Sequence, residues 1–166
     1  MRVHRCRFLD LVPHAIESVD VEANGVASPR LAVLRANADI EVWSMQHREA
    51  HCELRIPGAI DTPVRRVVWG ARSTLRPEGR LFSCGLHGLV TEWDLRTLSP
   101  RSSWDSAGGA AWTMAVLPGR QLLAVGCEDG GCSIFDTSDE TASEPTLRHR
   151  TPPQGGRLLC LSLIHI

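Results

Sequence analysis

The chain has 166 residues, 43% of them apolar, which is enough for one domain with a real core and argues against global disorder. Its formal net charge is −1 and its pI about 6.6, so no global field points to nucleic acid or to an anionic membrane. No apolar run reaches the ~18 residues of a membrane span, and the six cysteines form no C-x-x-C pair behind an apolar leader, which points to free thiols in a reducing compartment.

In chain order, residues 2–9 open the sequence. Val3, Cys6 and Phe8 alternate with Arg2, His4, Arg5 and Arg7, the pattern of an edge strand with one wet, basic face. Pro13 breaks the chain before Ile16 to Val21, and Asn24-Gly25 and Ser28-Pro29 supply loop chemistry. Leu31 to Leu34 and Ile40 to Trp43 form a hairpin pattern, followed by a polar linker over Gln46 to Glu53. Val64 to Trp69, Leu81 to Cys84 and Leu89 to Leu95 make a second group. Trp112 to Val116, Leu122 to Val125 and Cys132 to Phe135 make a third. Residues 137–156 read as a Ser-, Thr-, Pro- and Gly-rich loop, and Leu158 to Leu163 as one more strand. No segment carries a capped helical period.

The strands keep a common ruler. Leu31 to Trp43, Leu81 to Trp93 and Leu123 to Phe135 are each a 12-residue step, with a polar turn residue midway (Asn37, His87, Asp129) and an aromatic at the end. Asp129-Gly130 is the strongest hairpin signal of the three. Short apolar segments precede each unit at Ile16, Val64, Ala111 and Leu158, spaced by 48, 47 and 47 residues. Such a period is the mark of an all-β propeller with four-stranded blades, with a β-sandwich as the competing arrangement. The blades fall at 16–57, 64–105 and 111–150; the strand at 158–163 begins a fourth, and 2–9 closes the edge of a blade outside the three.

With the repeats in place, the chain resembles the cirhin family of WD-repeat proteins. The resemblance rests on the Val-His-Arg-Cys-Arg-Phe opening at 3–8 and on Leu81-Phe82-Ser83-Cys84-Gly85-Leu86-His87-Gly88 with Glu92-Trp93-Asp94-Leu95. It continues through Trp112-Thr113-Met114-Ala115 and Leu122-Leu123-Ala124-Val125-Gly126-Cys127-Glu128-Asp129-Gly130. The Gly-His dipeptide of ideal repeats is absent, which puts their buried His–Ser–Asp–Trp network in doubt here. The resemblance implies an incomplete WD-repeat propeller, an N-terminal fragment of a longer chain. It also implies a non-enzymatic scaffold of the small-subunit processome, acting in precursor ribosomal RNA processing in the nucleolus. Its partners would be other processome proteins, with precursor ribosomal RNA or small nucleolar RNA met indirectly, and no membrane or small-molecule substrate. The alternatives are a WD-repeat adaptor such as a ubiquitin-ligase substrate receptor, and a propeller enzyme.

The candidate residues divide by role. Asn37, His87, Asp129 and Gly130 are turn formers, and Trp43, Trp93 and Phe135 are blade aromatics. Arg2, Arg5 and Arg7 form a solvated strip suited to a protein or phosphate partner, with Arg65-Arg66 a weaker patch of the same kind. His47, His51 and Cys52 have the spacing of a partial zinc site, but only three donors lie together in a polar linker, so no metal is expected. Glu128 and Asp129 could serve as an acid–base pair, yet a hairpin Asp has a turn to form. Cys127 and Cys132 flank the same turn and would face each other only across a hairpin. No catalytic residue, metal ligand or cofactor is assigned.

Overall fold

The computed structural model describes residues 14–22, 29–45, 50–59, 63–117 and 121–162. The strip at Arg2, Arg5 and Arg7, the edge strand at 2–9 and His47 lie outside the described residues. Twelve strands fill the described part: β1 (Ile16–Val21), β2 (Arg30–Arg35), β3 (Ile40–Ser44), β4 (His51–Ile56), β5 (Val64–Gly70) and β6 (Arg80–Gly85), then β7 (Leu89–Asp94), β8 (Ser99–Asp105), β9 (Ala111–Leu117), β10 (Leu122–Cys127), β11 (Cys132–Asp136) and β12 (Thr146–Arg150). They pair as three antiparallel meanders in the orders β1-β2-β3-β4, β5-β6-β7-β8 and β9-β10-β11-β12.

The 12-residue ruler is the register of the central hairpin in each sheet. Leu31 pairs with Trp43, Leu81 with Trp93 and Leu123 with Phe135. The polar residue midway therefore falls at the tip of the turn. Each tip is closed from residue +3 to residue 0, with Ala38, Gly88 and Gly130 N–H groups donating to Arg35, Gly85 and Cys127 carbonyls. That is a three-residue loop whose last residue is left-handed: Ala38 at φ 66°, Gly88 at 80° and Gly130 at 79°. The residue opening each turn then donates its N–H to the carbonyl just ahead of the innermost strand: Ala36 to Ala15, Leu86 to Pro63 and Glu128 to Ala110. Each turn thus pins its own blade's first strand once, and the arrangement recurs in all three blades.

The sheets pack face against face, with the innermost strands β1, β5 and β9 side by side in succession. Along β5 the pleat alternates, so that Val67 and Trp69 turn to the first sheet and Val68 to the third. One core cluster joins Ala32, Leu34, Ile40, Val42 and Ile56 to Val67, Trp69, Leu81 and Leu95. The other joins Val68, Phe82, Cys84, Val90 and Trp104 to Met114, Leu123, Val125, Cys127 and Phe135. Trp104 stands edge-on to Phe82 at 6.3 Å and to Phe135 at 6.0 Å, tying the outer strand of the second sheet to the third. Burial of each large side chain contributes about 1.5–3 kcal/mol, so the sheets hold one another chiefly through these two layers. The second sheet is covered on both faces, and all six residues of β6 are buried.

Two segments depart from the sequence reading. The stretch 137–156 is not loop throughout, because β12 pairs with β11 although four of its five residues are exposed. Edge pairing, with Arg148 near Asp136 and Arg150 on Asp129, supplies what apolar alternation does not. Conversely the apolar segment expected as a strand at 158–163 forms none over its described residues 158–162. Leu158 donates its N–H to the Cys127 carbonyl, and no described segment runs beside it as a ladder partner.

Candidate partner-binding surface

The central turns and the starts of the innermost strands share one end of the three sheets. Glu17, Arg65 and Trp112 are each the second residue of their innermost strand, and they form a row across that end. The Arg65 guanidinium lies 3.2 Å from the Glu17 carboxylate and 5.7 Å from the centre of the Trp112 ring. Arg157 lies 5.0 Å from the same ring, and Trp112 Nε1 donates to Glu128, which also accepts from Arg157 Nε at 2.7 Å. Cation–π and ionic contacts alternate along the row, with both signs of charge used up in pairs. Arg65 therefore joins blades. Glu128 is committed to Trp112 and Arg157.

The predicted turn residues sit at this end, and each blade ties its turn to the exit of its outer strand by different chemistry. In the first, Asn37 Nδ2 donates to Asp39, and Asp39 in turn accepts from Gly58 N–H at 2.7 Å and from Arg55 at 2.5 Å. Burial opposes ionisation of Asp39, but these donors outweigh it and hold the carboxyl below its ordinary range. In the second, the Gly88 carbonyl accepts from Ser106 N–H at 2.9 Å, and His87, made less basic by burial, makes no such link. In the third, the Asp129 side chain accepts from Gly131 N–H and pairs with Arg150, while its carbonyl accepts from Gln154 N–H. The Gly131 donor, helped by Arg150, keeps Asp129 ionised, so it serves the turn.

The blade aromatics differ among themselves. Trp93 Nε1 donates to Ser83 Oγ at 2.8 Å, which leaves one link of the network of ideal repeats standing. Trp43 donates instead to Glu41 on its own strand, and Phe135 is fully in the core with no donor to place. Cys127 and Cys132 sit on opposite faces of the hairpin, because Gly126 is the residue that pairs with Cys132. Burial raises both thiols, and that of Cys84, so all three stay protonated. His51 is exposed at the start of β4, and the neighbouring Cys52 Sγ donates to the Leu54 carbonyl. Among the described residues no group of three or more His, Cys, Asp or Glu side chains is placed to hold a metal ion.

The opposite end carries ion pairs that the sequence reading missed. Glu22, buried at the end of β1, accepts from Arg30 at 2.8 Å and from Arg72 of the next blade at 2.6 Å. Burial works against its charge, yet the two arginines win and lower its pKa. Arg80 and Glu92 form a buried bidentate pair at 2.9 Å in both contacts, and Arg80 Nη1 reaches the Thr137 carbonyl of the third blade at 2.5 Å. One signal for this pair was present: Arg80 and Glu92 are opposite charges one ruler length apart in the same hairpin.

Known proteins place the chain. No family model matches it. It is 38% identical over 148 residues to U3 small nucleolar RNA-associated protein 4 of Schizosaccharomyces pombe, which covers 83% of this chain and 20% of that protein. Against the homologue of Homo sapiens the identity is 35% over 163 residues, 97% of this chain and 22% of that one. Among solved structures, chains of the Chaetomium thermophilum Polycomb Repressive Complex 2 superpose with TM-scores of 0.67 and 0.65 over 78% and 75% of this chain. Their identities of 14% and 13% make this a likeness of fold alone, that of a WD-repeat β-propeller in which the three sheets are blades. The chain spans about a fifth of the length of the relatives it matches. By sequence it belongs with the homologues of U3 small nucleolar RNA-associated protein 4, the cirhin family.

Proposed function

We propose that this chain is part of a non-enzymatic scaffold of the small-subunit processome, acting in ribosome biogenesis in the nucleolus. The observation that carries the reading is the ordered match to U3 small nucleolar RNA-associated protein 4 along most of the chain, because fold alone does not fix function. The physical arrangement agrees with it. Glu22, Asp39, Glu92, Glu128 and Asp129 are engaged in turns or ion pairs and Cys84 and Cys127 lie in the core, and the blades present stiff loops and edges to partners. Other processome proteins are the proposed partners, with small nucleolar RNA held in the same assembly. Arg2, Arg5 and Arg7 remain the proposed contact strip.

The test is co-sedimentation of the tagged full-length protein with the large pre-ribosomal particle. The protein should travel with the particle in nucleolar extract, and charge reversal of Arg2, Arg5 and Arg7 to Glu should reduce the bound fraction. A wild-type protein that stays at the top of the gradient sinks the reading. Unchanged sedimentation of the triple variant retires only the strip.

A further inference from the structure

Three times in the chain an arginine stands three residues before a serine or threonine: Arg80 before Ser83, Arg96 before Ser99 and Arg148 before Thr151. Pro100 and Pro152 follow the last two. Protein kinases choose substrates by such charge patterns, an acidic pocket taking the arginine while the segment lies extended across the active site. The fold separates the three. Ser83 is buried and accepts from Trp93 Nε1, and its arginine is buried against Glu92. Thr151 is half-buried, its hydroxyl oxygen accepts from Cys132 N–H at 2.8 Å, and Arg148 pairs with Asp136. Ser99 instead opens β8 on the outer edge of the second sheet, and every residue from Arg96 to Arg101 is exposed. Its hydroxyl shares a hydrogen bond of 2.8 Å with that of exposed Thr97. Arg96 and Arg101 enter no ion pair among the described residues.

We infer that Ser99 is a phosphorylation site for a serine/threonine kinase directed by the arginine before it and the proline after it. The inference stands apart from the scaffold reading. In the step, the γ-phosphoryl group of ATP passes to Ser99 Oγ: the P–O bond to ADP breaks, the Oγ–P bond forms, and the hydroxyl proton goes to the kinase's base. Local structure lets the segment reach a kinase cleft. The turn from β7 to β8 is held by Asp94, whose carboxylate accepts from Arg96 and Thr97 N–H and whose carbonyl accepts from Leu98 N–H at 2.8 Å. The two carboxylate bonds are exposed, so water replaces them when the turn opens. Leu98 sits at φ 57°, and extension relieves that strain. Pro100 has no N–H to give its ladder partner Trp93, and the register slips beside it. The start of β8 therefore peels away while Trp104 stays in the core. The product phosphate carries about −1.5 to −2 charges. Asp94, across the ladder from Ser99, repels it, which turns it toward Arg96 and Arg101.

The test is phosphopeptide mapping of the full-length protein. One sample is incubated with ATP and a purified kinase of this dual preference; the other is isolated by a tag, under phosphatase inhibition, from growing cells that express it. Both maps should place phosphate on Ser99 and none on Ser83 or Thr151. Ser99→Ala should abolish the labelled peptide. Arg96→Gln, an exposed change outside the described ion pairs, should slow labelling by the purified kinase about tenfold, whereas Arg148→Gln should leave the rate unchanged. Thermal melting of each variant checks the fold. Absence of phosphate on Ser99 from either sample, stronger labelling of Thr151 than of Ser99, or labelling of Arg96→Gln at the wild-type rate overturns the inference.

Discussion

Gly130 shows how much one residue type carries here. It sits at φ 79°, and a Cβ there would lie 2.1 Å from the Gly156 carbonyl oxygen and 2.3 Å from that of Gln154. Gly130→Ala should therefore cost about 1–3 kcal/mol in equilibrium urea unfolding, from left-handed strain and from the clash together. Gly155→Ala, where a new Cβ meets nothing within 4 Å, should stay within about 0.5 kcal/mol and is the control. Equal effects would mean that the tail does not lie against the turn. At this scale the turn chemistry was legible as Asp-Gly and His-Gly. It was less so at Ala38, which takes the same left-handed place without glycine. The part played by Asp39 was not legible, since its partners Arg55 and Gly58 lie 16 and 19 residues on, in β4 and just past it.

Between elements, the ruler was readable because it is the hairpin register itself, and a register is fixed wherever one face must be buried. The outer strands were harder. β8 and β12 are largely exposed, so their sequences carry little alternation, and they are strands because an inner neighbour offers a free edge. The segment 158–162 is the reverse case, apolar but with no strand beside it among the described residues, and it forms no ladder. Pairing decided both outcomes. The buried Arg80–Glu92 pair is the sharpest element-level test, for it links β6 to β7 and reaches the third blade through Thr137. Glu92→Ala leaves a buried guanidinium uncompensated and should cost about 3–5 kcal/mol. Asp136→Ala, which removes the partner of the exposed Arg148, should cost no more than about 1 kcal/mol. Unfolding curves that rank the two the other way would show that the inner pair is solvated.

For the whole molecule, two apolar layers and a row of paired charges hold three blades in one arc, and Ile16, Val19 and Val21 on the first strand remain exposed. The three-blade order was visible from spacing, and the cirhin-family membership from matched segments taken in sequence. The ion pairs that lock blade to blade were not visible, because they join residues about 50 positions apart whose types recur throughout an arginine-rich chain. The central proposal is that the full-length protein supports assembly of the small ribosomal subunit as a scaffold. The measurement that tests it most directly is the ratio of mature small-subunit to large-subunit ribosomal RNA after depletion of the full-length protein. The account predicts a fall in small-subunit RNA with large-subunit RNA largely intact; a ratio that does not move would contradict it.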